Sequence, residues 1–340
     1  MKFVPYFDVV GTPNIIVDSV PTVATILTLS HWPESGTPAA LQDDLSAQIV
    51  FHYLDGAPHL EAVPAVSNNH FDKDGLAGIF ALLFPEIGQQ YRDLVVDVAS
   101  AGDFGVYRWP DAAHIAFAVS SYESSLRSPL APLMSAEPAH RRVALLYQEL
   151  LPRFAEWMRA PDSIRQLWID EDAYLRETEV RVRRGDIRVA ERPDLDLAIV
   201  TVPDGRRVPT PPGLPEYADA LCHPMVIHNA THMSRVLYCC GQRYEMHYRY
   251  ETWVHYVSRP HPPRVDLAPL ALELSALEGP GVEWTFDGVS EITPRLHLSN
   301  AEESRIPPET FEARLLNALR RGQGKKDMLT RRQSRRALPT

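Results

Sequence analysis

The run Val66-Ser67-Asn68-Asn69-His70-Phe71-Asp72-Lys73-Asp74-Gly75-Leu76-Ala77-Gly78 constrains this chain more than any other. Apolar Val63, Ala65 and Val66 lead into it, and Leu76, Ile79, Phe80, Leu82 and Leu83 follow at helical spacing. The pattern predicts a strand, a polar turn and a helix, with His70, Asp72 and Asp74 crowded at the junction. In an open α/β sheet, ligands bind at the carboxyl ends of strands, where these side chains would stand. Two carboxylates and an imidazole so close repel and desolvate one another unless a cation sits among them. A solvated turn with Asp74 as helix N-cap is the alternative reading, although a cap needs only one acceptor. An EF-hand does not fit: His70 would take the first ligand position and Ala81 the last, where a bidentate Glu is needed.

The preceding segment has a similar alternation. Residues 14–20 and 26–30 predict strands rich in Ile, Val and Thr, with Asp18 and His31 at their ends. Residues 39–53 have helical spacing through Leu41, Leu45, Ile49 and Val50. Further strands are expected at 94–98, where Asp97 closes the run, and at 115–119. This βαβ alternation predicts an α/β fold whose N-terminal domain is a mostly parallel sheet covered on both faces. Its carboxyl edge would gather Asp18, His31, His70, Asp72, Asp74 and Asp97, with Asp103 in the glycine-flanked loop Gly102-Asp103-Phe104-Gly105 just beyond. Taken singly, Asp18, His31, Asp97 and Asp103 also read as caps, turn acids or core residues.

Downstream, a Ser/Pro/Ala-rich connection at 120–140 leads to helical stretches at 141–158 and 163–183, broken at Pro161. Leu145, Leu146, Leu150, Phe154 and Trp157 give the first an amphipathic face. After Gly185 the pattern turns to strands, at 187–190, 195–202, 235–238 and 245–257, with a Pro/Gly-rich loop at 203–215. A helix at 308–319 precedes a basic tail expected to be disordered. The expected division is an α/β domain at 1–135, a helical linker at 136–184, a smaller mixed α/β domain at 185–320 and the tail at 321–340.

A net charge of −10 argues against broad nucleic-acid binding, while leaving room for a local basic groove. No apolar run approaches the roughly 20 residues of a membrane span, and the first residues lack a signal peptide's apolar core. Three cysteines, an odd number, do not suit a disulfide framework. A cytoplasmic location is expected.

His70-x-Asp72-x-Asp74-Gly75-Leu76 after a strand resembles the first motif of the DHH phosphoesterases, which hydrolyse phosphodiesters and polyphosphates with two divalent cations, often manganese. Asp97 matches the family's second motif, an Asp at a strand end. The stretch 250–298, with Tyr256-Val257-Ser258-Arg259, Arg264-Val265-Asp266-Leu267, Gly279-Pro280-Gly281 and Phe286-Asp287-Gly288, resembles the small substrate-binding domain that accompanies the DHH domain. There the resemblance implies that Ser258 and Arg259 grip a phosphate, as a guanidinium does bidentately. No Asp-His-His run occurs in the chain, and His114 alone stands near its place. The family's Gly-Gly-Gly-His turn is also missing. The chain further resembles actinobacterial proteins of unassigned function that share the SNNHFDKDG-type and YRYETWVHYVSR-type runs.

A second cluster comprises Cys222, His223, His228, His232, Cys239 and Cys240; on a helix His228 and His232 would share one face and nearby thiols could complete a zinc site, although the spacing matches no zinc module. His223, His228 and Asn229 read as substrate contacts across a domain cleft, or as ordinary loop residues. Tyr244, Tyr248, Tyr250, Trp253 and Tyr256 read as a sheet face in the core more readily than as a base-stacking series. The expected function is metal-dependent hydrolysis of a phosphodiester or phosphoanhydride in a small nucleotide-like, polyphosphate or short oligonucleotide substrate. One or two Mn²⁺ or Mg²⁺ ions would be held by His70, Asp72, Asp74 and Asp97, with Asp18, His31 and Asp103 as further ligands. The competing expectation is a non-hydrolytic binding protein on a degenerate DHH-like fold.

Overall fold

The computed structural model describes residues 1–56, 63–203 and 221–336, with side chains described to residue 323. Most of the expected loop at 203–215 lies outside the described residues. The chain is mixed α/β and divides into two compact units. The first contains Met1–Glu177 and Val254–Pro260 together with residues 221–229.

In the first unit, β1 (Lys2–Phe3), β2 (Asn14–Val17), β3 (Thr25–Leu29) and, after helix α1 (Ser46–Gly56), β4 (Ala65–Ser67) form one sheet. Its order is β1-β4-β2-β3 and every pairing is parallel. β2 and β4 are buried at each position, which is why their sequences run apolar without strict alternation. Helix α2 (Lys73–Leu83) follows the acidic turn as expected. Gly78 lets it approach the sheet: a Cβ there would lie 2.7 Å from Val17 Cγ1.

Two expected strands are helices. After the short α3 (Pro85–Gln90), residues 94–98 fall in α4 (Arg92–Asp103) and residues 115–119 in α5 (Pro110–Glu123). α5 is buried without a break from Ala112 to Val119, so its apolar run has no polar face to reveal a 3.6-residue period. α4 packs on both α2 and α5. Beyond α6 (Ala131–Met134), α7 (Ala139–Arg159) and α8 (Arg165–Arg184) match the two predicted helical stretches. The chain through Glu177, with α7 and most of α8, belongs to the first unit, and the last residues of α8 to the second.

The second unit holds a six-stranded sheet of β5 (Arg188–Arg192), β6 (Leu197–Val202), β7 (Arg235–Cys240), β8 (Arg243–Tyr248), β9 (Glu283–Phe286) and β10 (Arg295–Ser299). The order is β5-β6-β7-β8-β10-β9, antiparallel except for β6 with β7. The short helix α9 (Pro224–Ala230) precedes β7, while α10 (Ala268–Ser275) and α11 (Pro308–Arg336) supply Leu270, Leu274, Phe311, Leu315 and Leu319 to the core. Tyr244 and Tyr248 are buried in that core, as the even spacing suggested. The strand expected at 245–257 ends at Tyr248 and gives way to a 3₁₀ turn at Tyr250–Thr252. Ser258 and Arg259 therefore do not close a strand. The tail expected to be disordered from 321 is helical to Arg336, as its Arg, Lys, Leu and Gln content allows.

Candidate metal centre

Strands β4, β2 and β3 lie side by side and parallel, so the residues that follow them emerge at one edge. These are Asn68 to His70 after β4, Asp18 after β2 and His31 after β3. Asp18 takes a left-handed conformation, φ 51°, with its N–H donated to the Leu29 carbonyl at 3.0 Å. An L-residue pays about 1–2 kcal/mol for that backbone, a strain often kept at functional sites.

Each acid of the predicted turn also has a local reason for its place. Asp72, not Asp74, is the N-cap of α2, accepting from Gly75 N at 2.8 Å. Asp74 reaches back to the start of α1 instead, where it accepts from Ser46 N at 2.7 Å and Ala47 N at 2.8 Å. Leu45, just before that helix, offers no side-chain acceptor, so a carboxylate from a distant turn satisfies the open N–H groups. Ser46 accepts from His31 N and donates its hydroxyl to Asp18 Oδ1 at 2.7 Å. Asp103 is the last residue of α4, where the helix dipole disfavours an anion.

These elements converge. His31 Nε2 lies 3.3 Å from Asp18 Oδ1, 3.5 Å from Asp103 Oδ2 and 3.8 Å from Asp74 Oδ2. His70 Nε2 lies 2.8 Å from Asp72 Oδ2 and 3.3 Å from Asp18 Oδ2. Two trios thus have ligand atoms within 4.8 Å of one another: Asp18, His70 and Asp72, and Asp18, His31 and Asp74. Asp18 belongs to both. The second trio is wholly buried, whereas His70 and Asp72 keep about a third and a quarter of their side chains exposed.

Both imidazoles are aimed the same way. His31 Nδ1 donates to the Asp44 carbonyl at 2.5 Å, and His70 Nδ1 meets Asn69 Oδ1 at 3.0 Å. An oxygen acceptor on Nδ1 leaves Nε2 to face the cluster, the arrangement that orients metal-binding histidines.

The metal-free charge balance is strained. Burial would raise Asp18, but its contacts with His31 and His70 outweigh that and hold it well below the usual carboxylate range. Burial works against both histidines, yet Asp18 and Asp74 lift His31 to about 9, and Asp72 and Asp18 lift His70 to about 11. Burial and Asp18 push Asp74 up to about 7. Burial and repulsion from Asp72, Asp74 and Asp18 push Asp103 far above its ordinary value. Asp18 Oδ2 and Asp103 Oδ2 are buried without a well-aligned hydrogen bond, their nearest positive neighbours being His70 Nε2 at 3.3 Å and His31 Nε2 at 3.5 Å. Poorly paired buried oxygens cost about 1–3 kcal/mol each. A divalent cation fits this donor set, since imidazole and carboxylate together suit Mn²⁺ or Zn²⁺.

Asp97 does not join them. It lies mid-helix in α4, and its carboxylate accepts from Arg108 N and Trp109 N at 2.9 Å, tying down the turn before α5. The strand-end ligand expected there rested on the misread helix. Ser258 is also committed elsewhere, donating its hydroxyl to Asp44 Oδ2, and Arg259 is half-buried beside it. His223 is buried against Phe117 and Tyr174, and His228 Nδ1 donates to the Phe104 carbonyl at 2.8 Å. Asn229 donates to Met225 O at 2.8 Å. These three support the fold around α9. His232 lies beyond α9, so His228 and His232 share no helical face, and the two trios are the only metal-capable groups among the described residues. His114 stacks on Trp168 and pairs with Asp172 at 3.0 Å, a satisfied core histidine.

Sequence reasoning missed Asp44, Ser46 and Asn69. Only Asn69, next to His70, carried a local signal; the others reach the site through tertiary packing.

A family model described as "Family of unknown function (DUF6687)" matches residues 1–328. No curated protein and no solved structure matches the chain.

Proposed function

We propose that this chain, which belongs to the DUF6687 family, is a metal-dependent phosphoesterase acting on a phosphodiester or phosphoanhydride. The observation that carries the reading is the convergence of four carboxylates and two imidazoles at one edge of a parallel sheet, with Asp18 shared by two ligand trios. A shared carboxylate suits paired ions about 3.5–4 Å apart, the spacing used in phosphoryl hydrolysis. His70, Asp72 and Asp18 would hold one ion, and His31, Asp74 and Asp18 the other, with Asp103 beside His31. Bound divalent ions supply a nucleophile at neutral pH and neutralise charge on a phosphoryl oxygen. The protein's part is positioning. The start of α1 holds Asp74, the start of α2 holds Asp72, and the Nδ1 partners hold both rings. Substrate enters from the side of His70 and Asp72, the exposed members. The distant DHH resemblance agrees with this chemistry and is part of the proposal.

The test is elemental analysis of the purified protein, followed by turnover of bis-p-nitrophenyl phosphate, dinucleotides and polyphosphate with Mn²⁺. Turnover that chelator abolishes and that Asp18→Asn removes supports the reading. One observation favours a second reading: Asp18, His31 and Asp74 are entirely inaccessible. Metal retained stoichiometrically with no turnover on any of these substrates would make the chain a metal-binding protein. A protein that takes up no divalent ion would overturn both.

A further inference from the structure

The segment 254–260 belongs to the first unit, although the residues on either side of it in sequence belong to the second. It touches the metal centre's surroundings at two points. His255 N donates to the His31 carbonyl at 2.7 Å. A few residues on, Val257 N donates to Asp44 Oδ1 at 2.6 Å, Ser258 N to the same oxygen at 2.9 Å, and Ser258 Oγ to Asp44 Oδ2 at 2.5 Å. Asp44 itself is buried, and its backbone carbonyl is the acceptor for His31 Nδ1.

Two functions therefore meet in one residue. The carbonyl of Asp44 keeps a proton on His31 Nδ1 and sets where the ring points, and its carboxylate is gripped by three donors from a strap that also binds the backbone of His31. We propose that Asp44 is a positioning residue: it holds His31 Nε2 toward Asp18 and Asp74, and the strap at 255–258 holds Asp44. Among the described residues, His31 is the one member of the cluster hydrogen-bonded to Asp44. The proposal rests on the metal-centre reading for its consequence, but its geometry stands without it.

A carbonyl on an otherwise unrestrained loop would be free to rotate. A carbonyl whose side chain accepts three hydrogen bonds is not, because turning the peptide means breaking charge-assisted contacts. The partners that orient a ligating imidazole typically affect metal affinity by about 10–100-fold. The loss runs through ring orientation, since no ligand atom is removed.

The experiment pairs metal affinity with a direct look at the ring. In protein labelled with ¹⁵N-histidine, His31 should show a downfield, slowly exchanging Nδ1 proton, assigned by its disappearance in His31→Gln. In Asp44→Ala this proton should exchange rapidly, and Mn²⁺ affinity, titrated by electron paramagnetic resonance, should fall about 10–100-fold. Asp44→Asn, which keeps an oxygen for the strap N–H groups, should restore part of both. Ser258→Ala, an exposed position, loses one of three donors and should weaken Mn²⁺ binding by a few-fold while leaving the fold intact; it remains informative if Asp44→Ala fails to fold. The proposal is overturned if folded Asp44→Ala, or Ser258→Ala where the former does not fold, keeps the parent's Nδ1 proton protection and the parent's Mn²⁺ affinity. If the parent binds no Mn²⁺, the metal-centre reading fails, and the Nδ1 proton alone still decides whether Asp44 holds the ring.

Discussion

Replacing Asp103 by Asn should raise the stability of the metal-free protein and lower the stabilisation that metal brings. The side chain of Asp103 is buried at the C-terminus of α4, with three carboxylates around it and His31 Nε2, 3.5 Å away, as its Oδ2's positive neighbour. At neutral pH the parent must either take up a proton there or hold an unfavourable charge, and Asn does neither. An anion at a helix C-terminus costs about 0.3–1 kcal/mol, and relief of repulsion adds a comparable amount. The lost 3.5 Å contact with His31 subtracts from this, leaving a net gain of about 1 kcal/mol. For a unit of this size that is roughly 2–4 °C in Tm. Metal reverses the order. At a free Mn²⁺ concentration 1,000-fold above Kd, the parent gains about 4.1 kcal/mol. A 100-fold weaker variant gains about 1.4 kcal/mol at the same concentration. The metal-induced rise in Tm should therefore shrink from about 8–16 °C to about 3–6 °C. Scanning calorimetry of chelator-treated and Mn²⁺-loaded samples reads both signs at once. A metal-free variant that melts below the parent, together with an unchanged metal-induced shift, would show that Asp103 is an ordinary buried acid and refute the reasoning.

Three further outcomes are expected. Asp97→Ala should cost about 1–3 kcal/mol by leaving Arg108 N and Trp109 N unmatched, with Mn²⁺ affinity unchanged; a loss of metal without a loss of stability would return Asp97 to the ligand set. Gly75→Ala should destabilise by about 1–3 kcal/mol despite alanine's helix propensity, because a Cβ there would sit 2.4 Å from Asn68 Nδ2 and 2.6 Å from Tyr147 Oη; an unaltered urea midpoint would contradict this packing. His223, lowered to about 3 by burial, stays neutral in the fold while the unfolded chain takes up a proton below about pH 6.5. Its contribution to stability is thus present above that pH and lost as pH falls toward 3, at up to about 1.4 kcal/mol per pH unit, so His223→Gln should flatten the urea stability profile between pH 6.5 and 5 by one proton's slope.

The sequence by itself determined the mixed α/β class, the strands ending at Asp18 and His31, the strand, turn and helix around His70, Asp72 and Asp74, and the long helices α7 and α8. Each had a local signal: β-branched runs, a polar break before an apolar helix, or an amphipathic stripe. Local order also placed acids and imidazoles after strands, and parallel topology turns that order into convergence. Tertiary structure decided the rest. The run 115–119 is helical and buried at every position, which removes the polar face that would have shown its period, and the run 94–98 is a short β-branched stretch of an amphipathic helix, too short for its period to separate it from a strand. That one change took Asp97 out of the site and put Asp103 at a helix end facing it. Asp74 was legible as an acid but not as the partner of α1, and Asp44 was not legible at all. Their roles depend on hydrogen bonds to Ser46 and Ala47 in one case and to Val257 and Ser258 in the other, across 28 and 214 positions of the chain at most. Sequence spacing carries information over a few turns of helix or strand, whereas contacts of that length exist only once the chain has packed.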